Sequence, residues 1–202
     1  AHWRDVVARP ANRRGMLGVE GKRIAALLGD GFEEIELSEP RRAFEEAGAV
    51  VTIVGLDERA RTRIRGKRGL DEGQSIKAEE LAADCTAEDF DGLLLAGGLS
   101  PDALRTDADV LRLVAEFDAA KKPVFVIGHG AQVLISAKLV RGRQLTGTRS
   151  IADDIRNAGA LYRDQPTVQD SNWVSTRGAD DLAQFNRVIV EKLAASAPAA
   201  AG

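Results

Sequence analysis

The sequence predicts an α/β fold of the doubly wound kind, a parallel sheet sandwiched by helices. Three observations carry this. Four short apolar runs, RIAALL (23–28), VVTIVG (50–55), DGLLLAGG (91–98) and PVFVI (123–127), are continuous rather than alternating in character, as expected of strands covered on both faces. Amphipathic helical stretches separate strands, the spacing expected of parallel strands joined by crossovers. Strands one, three and four each run into a glycine-containing loop, Gly29-Asp30-Gly31, Gly97-Gly98 and Gly128-His129-Gly130.

The elements follow in order. After strand one, Glu33 to Leu37 is expected to make a turn of helix. Pro40 is expected to open the next helix, since proline is tolerated in a first helical turn, and Gly48 ends it after Ala47. Residues 57–73 are rich in Arg, Lys, Gly and Glu and predict an exposed loop or hairpin. Asp107 to Ala120 is a helix expected to turn Leu111, Val114 and Phe117 inward. Ala131 to Leu139 is the helix behind the fourth strand, and QLTG (144–147) is a short strand-like segment. Ile151 to Ala158 is helical, VQDSNWVST (168–176) predicts a hairpin about Asp170-Ser171-Asn172, and Asp180 to Ala195 closes the chain. Residues 1–21 are expected to be an N-terminal extension, residues 22–195 the α/β domain, and residues 196–202 a frayed tail.

Composition bounds the function. At 202 residues and 44% hydrophobic content the chain can bury a full core. A formal net charge of −3, with charges of mixed sign, gives no support for a nucleic-acid partner. No apolar run approaches a membrane-spanning length, and the first residues lack the apolar stretch of a secretory signal. Cys85 is the single cysteine and the histidines are His2 and His129, so neither an internal disulfide nor a thiolate zinc cluster is expected. A cytoplasmic setting, with no metal and no cofactor, is the expectation.

In open parallel sheets ligands bind beyond the carboxyl ends of the strands. The loops there are expected to bring together Glu33, His129 and Asp102, with backbone amides of Gly97, Gly98 and Gly130 available to a ligand or an oxyanion. A sharp strand-to-helix corner such as PVFVIGHGAQVL (123–134) is where hydrolases of α/β fold present a nucleophile. The natural nucleophile position is Gly128, which has no side chain. Ser100 and Thr148 offer hydroxyls with no evident base beside them, and Cys85 lies before the third strand, away from the ligand edge. Asp102, following Ser100-Pro101, is equally readable as a helix N-cap.

Several segments occur together and in order: GDGFEEIELSEP, FDGLLLAGGLSPDALRTD, KPVFVIGHGAQVL, and NAGALYRD followed by SNWVSTRGADDLAQFNRVIVEKL. From about Lys22 to Leu193 they resemble the ThiJ/PfpI superfamily, and most closely its general-stress and PfpI-type peptidase branch. The resemblance implies a flavodoxin-like sandwich related to class I glutamine amidotransferase domains, assembled as a homodimer or larger. It implies a cysteine at the position of Gly128, a pocket glutamate at Glu33 and a histidine at His129. It also implies an orienting carboxylate at Asp102, which in the PfpI branch a neighbouring subunit can supply. Peptidase, glyoxalase, deglycase and chaperone activities are linked to the family, and all but the last need the thiol.

Three functional readings follow. The chain is a stress-related protein that keeps the pocket without the reaction, acting by binding small carbonyl compounds or damaged proteins, or as a chaperone. Or it is a repurposed acid–base enzyme on small carbonyl compounds using Glu33 and His129. Or it is a copy altered from a cysteine-dependent peptidase or deglycase at position 128.

Overall fold

A computed structural model describes residues 18–196. Most of the expected N-terminal extension and all but the first residue of the expected tail lie outside the described residues. In chain order the elements are β1 (Arg23–Leu27), β2 (Phe32–Glu33), α1 (Glu34–Glu46), β3 (Val50–Gly55), β4 (Ile64–Arg68), β5 (Asp71–Ile76), β6 (Glu80–Leu81) and β7 (Gly92–Leu95). They continue with α2 (Ser100–Leu104), α3 (Ala108–Ala119), β8 (Val124–Ile127), α4 (Ala131–Ser136), β9 (Gln144–Leu145), α5 (Ala152–Asn157), β10 (Leu161–Tyr162), β11 (Thr167–Asp170), β12 (Trp173–Thr176) and α6 (Leu182–Ala195).

Seven strands form the central sheet in the order β11-β12-β8-β7-β1-β3-β6, all parallel to their neighbours except β11, which pairs antiparallel with β12. This is the flavodoxin-like architecture. Strand alternation builds its two cores. Ala25 and Leu27 of β1 point to the face that also buries Leu113, Val114 and Phe117 of α3, Val133 and Leu134 of α4 and Ile155 of α5. Ile24 and Ala26 point to the other face, with Leu37 and Phe44 of α1 and Phe185, Ile189 and Leu193 of α6. Each such aliphatic or aromatic side chain contributes about 1.5–3 kcal/mol when fully buried.

Some expectations change. Residues 34–46 form one helix with Pro40 inside it, rather than a turn followed by a proline-initiated helix. Proline lacks the N–H that would bond the carbonyl four residues back, that of Glu36. Leu37, Pro40 and Phe44 are all buried on the sheet, and this shared face carries the helix through the defect. In α3 the inward residues are Val110, Leu113, Val114 and Phe117, whereas Leu111 is only partly buried. The basic segment is a hairpin, β4 with β5, turning at Gly69-Leu70, and β2 adds to it in parallel as a third strand. The 168–176 hairpin is also more than a flap: β12 is a parallel member of the main sheet, beside β8.

A polar network secures that junction. Asp118, at the end of α3, accepts hydrogen bonds from Trp173 Nε1 at 2.8 Å and Asn172 Nδ2 at 3.2 Å, and pairs with Arg143 at 3.4 Å. The Arg143 guanidinium lies 3.7 Å from the centre of the fully buried Trp173 ring. Removing the shared acceptor strands the buried indole N–H, while Arg143 keeps its pair with Asp170 at 3.1 Å. Asp118→Ala is therefore expected to lower unfolding stability by about 1–3 kcal/mol, the cost of an unsatisfied buried donor. A loss under about 0.5 kcal/mol in denaturant titration, the level of an ordinary surface change, would contradict that assignment.

Candidate functional site

The chain leaves β1 toward β3 on one side and, later, toward β7 and β8 on the other, so the sheet's topological switch lies beside β1. The loops after β1, β7 and β8 meet there. Gly29 N donates to Ser100 Oγ at 2.8 Å, Leu99 N to the Gly31 carbonyl at 2.8 Å, and Glu33 N to the Gly97 carbonyl at 3.4 Å. Ser100 is fully buried and serves as this tie between loops, not as a reactive hydroxyl.

The inward carboxylate is Glu36, not Glu33. Glu33 ends the short strand β2, paired with β4, and its carboxylate accepts from Gly69 N at 2.9 Å on the hairpin. Glu34 likewise turns to the hairpin, accepting from Arg68 Nε at 2.9 Å and Gln74 N at 3.0 Å, and these bonds hold its pKa below the ordinary value. One helical turn on from Glu33, Glu36 faces the sheet and is only 7% exposed. Its Oε2 accepts from Gly97 N at 2.8 Å. Burial pushes its pKa up to about 7; the Gly97 N–H opposes that shift and the nearby negative charge of Glu33 adds to it.

Gly128 faces this carboxyl group. It sits in the left-handed region at φ +56°, and a Cβ built there would lie 3.3 Å from Glu36 Oε1 and 3.5 Å from the Arg177 carbonyl. The Arg177 side chain is turned away, paired with Asp181 at 2.8 Å and Asp164 at 3.1 Å, and both carboxylates hold it firmly charged. At Gly97 a Cβ would lie 2.3 Å from Glu36 Oε2, so only glycine lets the carboxyl reach the backbone. The Gly97 amide expected for an oxyanion is thus already bound to Glu36. Gly98 packs on the backbone of Gly31 and Glu33, and Gly130 on the Leu95 carbonyl.

His129 is half-buried next to the corner, and burial lowers its pKa, favouring the neutral ring near neutral pH. Its ring Nε2 lies 3.3 Å from Ser150 Oγ. Asp102 is exposed on α2, where Leu99 rather than Asp102 is the N-cap residue. The ring contact of His129 among the described residues is Ser150, not Asp102. Thr148 donates to the Arg177 carbonyl at 3.3 Å. Cys85 is buried, with its thiol pushed up to about 11 chiefly by burial, and it lies before β7 at the opposite strand end from the corner.

The site therefore offers a carboxyl group that exchanges a proton near neutrality, a neutral imidazole and a glycine corner. Among the described residues no group of three or more His, Cys, Asp or Glu is gathered as a metal site, and no helix is long and apolar enough to cross a membrane. Sequence reasoning missed Glu36 and Ser150. Glu36 was findable: extending one helix through 34–46 puts it on the face of Leu37, Pro40 and Phe44. Ser150 carries no comparable signal, being 21 residues from His129 in a loop.

Residues 22–192 match the DJ-1/PfpI family. The chain is 45% identical over 166 residues to the putative cysteine protease YraA of Bacillus subtilis, covering 82% of this chain and 95% of that one. It is 43% identical over 169 residues to general stress protein 18 of the same organism, covering 83% and 95%. It is 40% identical over 175 residues to protein/nucleic acid deglycase 2 of Escherichia coli, covering 86% and 99%. Among solved structures it is similar to a two-domain protein of Anabaena variabilis containing DJ-1/ThiJ/PfpI-like and ferritin-like domains. That likeness has a TM-score of 0.79 at 34% identity and covers 85% of this chain but 48% of that one. On the strength of the match across most of its length, the chain belongs to the DJ-1/PfpI family.

Proposed function

We propose that this chain is a stress-related member of its family that binds small carbonyl compounds at the Glu36–Gly128 pocket without thiol chemistry. One observation carries the reading: the groups facing Gly128 are the Glu36 carboxyl and the Arg177 carbonyl, neither of them a nucleophilic thiol or hydroxyl. The name of one relative, general stress protein 18, supports the biological setting. In this reading a protonated Glu36 donates a hydrogen bond to a ligand carbonyl oxygen on the side where Gly128 carries no side chain. A homodimer or larger assembly in the cytoplasm is part of the same proposal, and Asp102, exposed on α2, is free to meet a partner subunit there.

A second reading, acid–base catalysis on the bound carbonyl compound, is favoured by the proton affinity of Glu36, which suits proton transfer near pH 7. It transfers to Glu36 the role expected of Glu33.

Methylglyoxal separates the readings. The chain as it stands is expected to bind it reversibly without turnover, and Gly128→Cys is expected to turn it over. The added side chain must adopt φ near +56°, so the variant should also lose about 1–2 kcal/mol of stability. Turnover by the unmodified chain that disappears in Glu36→Gln would replace the binding reading by the catalytic one. Absence of both binding and turnover would refute both.

Glu36 also makes stability depend on pH. Its folded-state pKa lies above the unfolded value of about 4.5, so its contribution is fully present below pH 4.5 and is lost as pH rises through 7. The shift corresponds to about 3 kcal/mol at roughly 1.4 kcal/mol per unit. Between pH 4.5 and 8 the parent is expected to lose about that much stability relative to Glu36→Gln. Parallel stability–pH curves for the two proteins would show that Glu36 ionises as an ordinary surface carboxyl.

A further inference from the structure

Ser150 is the next hydroxyl-bearing residue after Thr148, in a single 3-10 turn (Arg149–Ile151) that leads into α5. Its side chain is exposed, while the imidazole it meets is half-buried. The loop that presents it is fixed at three points. Thr146 N donates to Ser175 Oγ at 3.0 Å, and Thr148 Oγ1 donates to the Arg177 carbonyl at 3.3 Å. Gly147 packs so closely on the corner that a Cβ there would lie 2.9 Å from the Gly128 carbonyl. The loop is thus seated directly against the residue preceding His129, and its position relative to that ring is set by these three contacts.

We infer that Ser150 and His129 form a nucleophile–base pair that hydrolyses small carboxylic esters. The Oγ–Nε2 separation of 3.3 Å is within the looser range of such pairs before substrate binds. A neutral His129 accepts at Nε2, provided its proton is carried on Nδ1. Exposure of Ser150 matters equally, because an acyl donor must reach Oγ from solvent, and an open approach suits a short acyl chain.

The chemistry balances with water as the only co-reactant. The Ser150 Oγ–H proton passes to Nε2 as Oγ bonds to the ester carbonyl carbon, and the carbonyl electron pair moves onto oxygen. That pair returns as the bond to the alcohol breaks, and the alcohol leaves with the proton from Nε2. Water then adds to the acyl-serine, giving its proton to Nε2. The Oγ–carbon bond breaks, Oγ takes back the proton, and a carboxylic acid is released. Nothing is oxidised or reduced.

This activity goes beyond the carbonyl-binding reading and uses a different nucleophilic atom. A fluorophosphonate probe and p-nitrophenyl acetate test it on the full chain. The expected results are a single phosphonyl adduct mapped to Ser150 and ester turnover that falls to background in Ser150→Ala. Turnover and labelling rate should fall about 100-fold or more in His129→Gln. Ser150→Thr, which keeps the hydroxyl, should retain measurable labelling, and circular dichroism checks that each variant is folded. No adduct at Ser150, or ester turnover by Ser150→Ala equal to the parent's, overturns the inference. Reversible methylglyoxal binding and its response to Glu36→Gln are read separately, so failure of either proposal is distinguishable from failure of the other.

Discussion

The hydrogen bond from Gly97 N to Glu36 Oε2 is the short link on which the arrangement of the site depends. It ties α1, packed on one face of the sheet, to the loop at the carboxyl end of β7. The link demands glycine at 97, because any side chain would occupy the carboxyl's position. It also decides which way α1 faces: with Glu36 turned in, Leu37, Pro40 and Phe44 follow onto the sheet, and Glu33 and Glu34 are left to the hairpin. The hairpin in turn closes over the loop after β1, through the bond from Gly31 N to the Arg65 carbonyl and the Asp30–Arg65 ion pair at 2.7 Å.

The same link explains why the loop after β7 offers less to a ligand than its two glycines suggest. The Gly97 amide is occupied, and Gly98, at φ +72°, presses on the backbone of Gly31 and Glu33. These glycines are required by close packing of backbone on backbone and on a carboxyl group. A ligand at the corner therefore meets side-chain groups, chiefly the remaining oxygen of Glu36, more than a ready-made nest of amides.

Much of the fold was legible because burial on both faces leaves a plain mark: RIAALL, LLLA and VFVI are unbroken apolar runs, and each is a parallel strand of the central sheet. The short strands were legible only where a turn marked them. β12 reads as half of a hairpin, since Trp173-Val174-Ser175-Thr176 mixes polar and apolar residues, and its pairing with β8 is set by contacts some fifty residues distant in sequence. The corner was legible from Gly-His-Gly following a buried strand. The identity of its carboxylate was not, because three glutamates crowd residues 33–36 and the proline at 40 suggested a helix start where the chain instead continues. Helical phase, once the helix is taken as continuous, selects Glu36.

A buried carboxyl is an expensive way to hold a helix against a sheet, since a leucine or glutamine at 36 would fill the space without the desolvation cost of a charge. Here one oxygen is satisfied by a backbone amide and the other, Oε1, is aimed at Gly128 and Gly178, where a Cβ would approach it to 3.3 and 3.7 Å. Only the first of these contacts contributes to the fold. The second is an acceptor, and near neutral pH also a donor, held in a largely dry site opposite a residue with no side chain. Glycine at 128 relieves the left-handed backbone of about 1–2 kcal/mol of strain, yet does nothing to offset the cost of Glu36. A corner serving purely as scaffold would have no use for that carboxyl. The costly carboxyl oxygen set opposite a residue with no side chain is the arrangement on which the proposed binding of a polar ligand atom rests.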